Sequence, residues 1–370
     1  MVFRKILLGA ISAWGLLACA PLVAAAPVGD ADPVVFSFAF VGCNRLNWGD
    51  PTVVDSPSTA NTAQLLQTFS DIGALTTVPR YLFLAGDIVL GEKTGAGTLA
   101  AEISAWKNLV RKNKINLQTK LVVFTGNHEL LQSIESPPGS KNYVETPNQP
   151  AYPFWQTSMK RFIYGNDGPA MGGPDQLVND EKGLSYTFKA GGNLFMVINT
   201  DTEIDPQIAG NIPFNWIKTR LAAAQQDTNV KNIFVLGHKP IYPNGGDSGI
   251  ASDQAGPLYA ALNAPAKDGK ASKVRAYLTA HLHKWSYQQD LSASGMPGTV
   301  PQIIAGNAGS SPDHDWKTSG YFGFTVISVK RSGAVIAESY GRPIPTPYDL
   351  QSPIAQATLR ETKSLFVPQP

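Results

Sequence analysis

Residues 81–87 read Tyr-Leu-Phe-Leu-Ala-Gly-Asp: five largely apolar residues, a glycine, then a carboxylate. A short apolar run bounded by a turn signal is the pattern of a buried strand emptying into a loop. The form recurs along the chain. Residues 34–41 run into Gly42, 121–124 lead to Gly126-Asn127-His128-Glu129, 233–236 to Gly237-His238, and 277–279 to Ala280-His281-Leu282-His283. Between the runs at 81 and 121, Leu99, Ile103, Trp106 and Leu109 recur at spacings of four, three and three, the period of one helix face. Strand, helix and strand alternate, so the N-terminal half reads as α/β.

Further strands are expected at 194–198 and 321–328, and Asn211 is expected to cap a helix starting at Ile212-Pro213 that buries Phe214, Ile217 and Leu221. Residues 131–182 change character. They carry Pro-Pro-Gly at 137–139 and the aromatics Tyr143, Tyr152, Phe154 and Trp155, and read as an irregular insertion. It is either a flap packed by its own aromatics or a rim facing substrate.

With 370 residues, 43% hydrophobic and 16% charged, the chain can bury a full core. A net charge of +2 without a dense Lys/Arg run gives no support for coating nucleic acid or a polybasic hold on membranes, and points to a small or locally recognised substrate. Arg4 and Lys5 precede an apolar run over 6–20, then Pro21 and Val23-Ala24-Ala25-Ala26. That is the layout of a secretory leader over residues 1–26, and the run is shorter than the ~20 apolar residues of a membrane span. Leu16-Leu17-Ala18-Cys19 also fits a lipoprotein leader with a lipidated Cys19. Both readings put the folded part in the periplasm or outside the cell. The mature chain would keep one cysteine, Cys43, and no intramolecular disulfide. Residues 27–345 are expected to form the domain, and 346–370 a Pro-rich tail that closes it or hangs off it.

The polar residues that follow the strands carry the chemistry. Four of the five histidines fall in those turns, and residues just past strand ends line the crevice where α/β proteins bind ligands. Asp87, Asn127, His238, His281 and His283 offer a carboxylate, an amide oxygen and three imidazoles that can converge on metal. Singly, each has a plain alternative: a Gly-Asp turn, a capping Asn, a satisfied His, a His-x-His used for packing. Their recurrence at successive strand ends is what points to metal.

In this order the motifs resemble those of the calcineurin-like metallophosphoesterases, over about residues 34–341. The resemblance implies a four-layer α/β/β/α sandwich with one or two divalent ions, Zn, Fe or Mn, at the sheet edges. It makes Asp87 a carboxylate bridging both ions, Asn127, His238 and His281 ligands of the second, and His283 a ligand of the first. It sets His128 beside the phosphoryl group as a catalytic residue. The implied activity is hydrolysis of a phosphomonoester or phosphodiester by a metal-activated water. The other reading is a degenerate member that binds a phosphate ligand without turnover. The first motif departs from the family: Cys43 stands where its metal-binding Asp would be, and Arg45 where its His would be. Cys43 is then either a thiolate ligand or a neutral buried residue, and Arg45 either a phosphate-binding catalytic residue or an ion-pair partner. Leu90 stands where other branches place a Tyr ligand or an Asp that supports the catalytic His, so both are expected to be missing.

Overall fold

The computed structural model describes residues 32–46, 56–91, 98–115, 118–136, 139, 143–203, 210–245, 248–266, 269, 271–312, 320–344 and 354–368. The leader expected over residues 1–26, with Cys19, lies outside the described residues. In chain order the elements are β1 (Val34–Val41), α1 (Thr62–Gly73), β2 (Tyr81–Ala85), α2 (Leu99–Asn113), β3 (Lys120–Phe124), α3 (Asn127–Leu130), β4 (Leu131–Glu135), β5 (Tyr143–Pro147) and α4 (Ala151–Ser158). The second half continues with β6 (Tyr186–Ala190), β7 (Asn193–Val197), α5 (Phe214–Gln226), β8 (Asn232–Leu236), α6 (Ser252–Asn263), β9 (Val274–Thr279), β10 (Trp285–Gln288) and β11 (Gln302–Ala305). It ends with β12 (Tyr321–Lys330), β13 (Val335–Pro343) and β14 (Thr358–Phe366).

The strands form two six-stranded sheets, β14-β13-β12-β1-β2-β3 and β10-β11-β9-β8-β7-β6, with β4-β5 as a separate ribbon. Pairing is parallel in β1-β2-β3 and in β7-β8-β9-β11. Alternation along each strand splits its side chains between two layers. Phe38, Phe40, Phe83 and Phe124 of the first sheet meet Phe195, Val197, Phe234 and Leu236 of the second. On the other face, Ala39, Val41, Leu82 and Leu84 pack on Leu65 and Phe69 of α1, Ile103 and Trp106 of α2, and Trp155 of α4. Met196 and Val235 pack on Ile217 and Leu221 of α5 and Leu258 of α6. The layers are therefore α/β/β/α. Burial on both faces explains why the strands read as unbroken apolar runs rather than alternating ones.

Two expectations change. Asn211 does not cap α5: its backbone exchanges hydrogen bonds with Thr202, and the cap is Asp175, whose carboxylate accepts from Asn215 N at 2.7 Å and Trp216 N at 3.1 Å. A cap reached from about forty residues away leaves no local signature. The insertion at 131–182 is partly regular, since it holds β4, β5 and α4. Of the tail expected at 346–370, which closes the domain or hangs off it, residues 358–366 form β14, paired antiparallel with β13 along the sheet edge. Arg342 on β13 fastens that side of the sheet to α1. It is fully buried and donates to Gln64 Oε1 at 2.6 Å, Thr68 Oγ1 at 2.7 Å and Asp71 Oδ2 at 3.0 Å, so its charge is both paired and hydrogen-bonded.

Glu181 anchors the end of the insertion. It is fully buried, accepting from Asn199 Nδ2 at 3.1 Å and Ser185 Oγ at 3.3 Å. Burial pushes its carboxyl up to about 7 from 4.5. The folded state therefore holds this proton more tightly than the unfolded state, and stability falls as pH rises from about 4.5 to about 7. Glu181→Gln keeps an acceptor for Asn199 and removes the charge. Thermal unfolding should show it more stable than wild type at pH 8 by on the order of 1–3 kcal/mol, with the difference shrinking toward pH 5.

Candidate metal centre

The turns after β1, β2, β3, β8 and β9 meet at one edge of the paired sheets. Gly42 N donates to Ala305 O at 2.8 Å and His238 Nδ1 to Ala85 O at 2.7 Å, so the two sheets are tied at this point. Cys43, Asp87 and His281 take left-handed backbone, with φ of 60°, 53° and 65°. That region is sparsely used by residues other than Gly and costs on the order of 1–3 kcal/mol each. Close approach also constrains Gly126, where a Cβ would lie 2.3 Å from Asp87 Oδ1.

Two groups of ligating side chains result, and they share Asp87. One comprises Asp87, His238 and His281; the other comprises Cys43, Asp87 and His283. In the first, His238 Nε2 lies 3.3 Å from Asp87 Oδ1, 3.2 Å from Asn127 Oδ1 and 3.2 Å from His281 Nδ1. A carbonyl can only accept, so Ala85 O fixes the His238 proton on Nδ1 and turns the Nε2 lone pair inward. Asp87 Oδ1, Asn127 Oδ1 and His238 Nε2 then face one another as acceptors, and His281 Nδ1 approaches His238 Nε2 in a role that its tautomer decides. Such a set calls for a cation, and one carboxylate, one amide oxygen and two imidazoles suit a divalent transition ion. Burial disfavours charge on Asp87, yet His238, then His128 and Arg45, hold it well below the usual carboxylate range. Burial likewise opposes a proton on His238, and the Asp87 carboxylate outweighs it and raises its pKa.

In the other group His283 is oriented by Ser311 O, 2.6 Å from Nδ1. Cys43 is fully buried; its Sγ accepts from His281 N at 3.1 Å, and burial, followed by the charge of Asp87, pushes its thiol up. Arg45 Nε lies 3.5 Å from Asp87 Oδ2, and its side chain is only 12% exposed. The pair is thus not a surface ion pair: a guanidinium faces the carboxylate that both groups share.

His128 belongs to neither group. Its Nδ1 donates to Leu90 O at 2.7 Å, and its backbone N–H donates to Asp87 Oδ1 at 3.2 Å. The support expected to be missing at Leu90 is therefore supplied by the main chain of that residue. Glu129, quoted above only as part of a motif, is structural here. Its carboxylate accepts from Gly126 N at 2.7 Å, Ile88 N at 2.8 Å and Asp87 N at 2.9 Å, tying the two turns together. Burial and then Asp87 push it up to about 7. Two other neighbours had no legible signal. Glu145 on β5 accepts from Asn127 Nδ2 at 3.3 Å, which directs the amide oxygen inward, and Lys239 pairs with Asp201 at 2.5 Å directly after His238.

Two sheets with these candidate ligands at their edges define a metallophosphoesterase fold. The chain matches the calcineurin-like phosphoesterase family over residues 48–285 and belongs to it. The family uses divalent metal ions, and the two groups sharing Asp87 fit such ions. The matched segment contains Asp87, Asn127, His128, His238, His281 and His283, and begins after Cys43 and Arg45. No curated protein matches the sequence. The solved structure of PhoD has a TM-score of 0.53 at 12% identity, over 90% of this chain and 70% of that one, and shares the fold. A dimetal phosphatase from Danio rerio gives 0.49 at 12% identity, over 84% and 97% of the two chains. GAP50, the anchor in the inner membrane complex of Plasmodium, gives 0.45 at 16% identity, over 88% and 89%. Among the described residues, no helix is long and apolar enough to cross a membrane.

Proposed function

We propose that this chain hydrolyses a phosphomonoester or phosphodiester with water as the attacking group. The observation that carries the reading is the approach of Asp87 Oδ1, Asn127 Oδ1 and His281 Nδ1 to His238 Nε2, at 3.3, 3.2 and 3.2 Å. A divalent ion held by these residues supplies a lowered pKa for water and charge neutralisation at the transferring phosphoryl group. The chain's other residues bind and protonate. Arg45 offers a planar fork of donors to phosphate oxygens. His128, with Nδ1 committed to Leu90 O, carries a proton on its other nitrogen to the leaving oxygen or stabilises charge there. Metal analysis with turnover of simple aryl phosphate mono- and diesters tests this. Turnover that follows metal content supports hydrolysis, whereas phosphate binding without turnover under any divalent metal favours the degenerate reading.

We further propose one tightly held ion per chain, in the group containing His238. Arg45 already sets a positive charge against Asp87 Oδ2, and Cys43 is a buried thiol in place of a carboxylate. Wild type and Cys43→Ser should each retain about one ion after dialysis, and Cys43→Asp should hold a second better. Two tight ions in wild type that fall to one in Cys43→Ser would instead make the thiolate a ligand.

A further inference from the structure

The turn that leaves Asp87 is held amide by amide. Asp87 N, Ile88 N and Val89 N donate to Glu129 at 2.9, 2.8 and 3.4 Å, Leu90 N donates to Thr59 Oγ1 at 2.7 Å, and Gly91 N donates to Glu102 Oε2 at 2.7 Å. Thr59 Oγ1 gives its proton to Ser58 O at 2.6 Å, so the hydroxyl must act as acceptor toward Leu90. Glu102 sits in the first turn of α2 and is 1% exposed. A carboxylate there is favoured by the helix dipole.

The last two contacts bear on His128. The N–H of Gly91 and the C=O of Leu90 belong to the same planar peptide group. The Leu90 carbonyl is the acceptor for His128 Nδ1. Glu102 and His128 therefore sit at opposite ends of one peptide, joined by two hydrogen bonds of 2.7 Å each. An anion on the N–H draws electron density toward the carbonyl oxygen, and chained hydrogen bonds of this kind strengthen one another. Gly91 is also packed against the His128 main chain, since a Cβ at Gly91 would lie 1.8 Å from His128 O.

We propose that Glu102 is a positioning residue for His128. Through the Leu90–Gly91 peptide it does what a carboxylate in direct contact with the ring would do, and Thr59 holds the same peptide run from the Leu90 side. The proposal rests on the reading of His128 as the proton donor.

The test uses Glu102→Gln, which keeps an oxygen for Gly91 N but removes the charge, and the pair Thr59→Val and Thr59→Ser, which remove and restore the acceptor. Each metal-loaded, full-length protein is assayed on aryl phosphates graded by leaving-group acidity, with metal content and melting temperature as controls and His128→Ala as the reference. The expected result for Glu102→Gln is unchanged metal content, unchanged KM, and a fall in kcat of about 10- to 100-fold on the poorest leaving groups, with a smaller loss on the most acidic ones. Thr59→Val should show the same trend and Thr59→Ser should recover most of it; this pair decides the matter if Glu102→Gln does not fold. Equal losses across all leaving groups, or losses that track metal content, would overturn the proposal while leaving the role of His128 intact. A His128→Ala reference with no leaving-group dependence would overturn both.

Discussion

Purified Asp87→Asn protein is expected to lose most of its metal and most of its hydrolytic activity while remaining folded. Asp87 is common to both ligand groups, so its charge is the largest single negative contribution to either. The loss of metal affinity should exceed the ~10²-fold upper range seen when an outer-shell partner is removed. Asn suits the position because it tolerates left-handed backbone, which Asp87 adopts at φ 53°, and its Oδ1 can still accept from His128 N. Metal analysis after dialysis, turnover of aryl phosphates and a thermal melt together check this. Undiminished turnover in the folded variant would count decisively against the assignment.

His128→Ala should separate chemistry from metal binding. The ring makes no part of either ligand group, and the backbone contact from residue 128 to Asp87 survives the substitution. Metal content should stay at the wild-type level while turnover slows by ~10²- to 10⁴-fold, the range for a general acid. A variant that loses metal would show that His128 is a ligand instead.

The fold was legible where both faces of a strand are buried, because Val34–Val41 and Tyr81–Ala85 carry apolar residues on successive positions. It was less legible where one face meets solvent or a neighbour closes the edge. The Thr358–Phe366 strand is mostly polar, with Leu359, Leu365 and Phe366 its only apolar residues, and only its pairing with β13 marks it as part of the sheet. The candidate ligands could be picked out because each lies just past a strand end, all but His283 with a glycine or alanine directly before it. What holds them could not. Ala85 O, Leu90 O and Ser311 O are main-chain atoms, which any residue supplies, so the orientation of three histidine rings left no trace in residue identity. Glu145 reaches Asn127 from β5, within the segment whose composition reads as an irregular insertion.

The left-handed backbone at residues 43, 87 and 281 also limits how this site can change over generations. Only Gly, Asn, Asp and, less readily, His enter that conformation at low cost, and β-branched or bulky side chains are largely barred. Mutational routes into and out of metal binding therefore pass through a narrow set of residue types at these three positions. A cysteine at position 43 stands at the edge of that set. An aspartate there would carry less conformational cost than cysteine and would also supply a carboxylate, so the two effects would favour the same substitution.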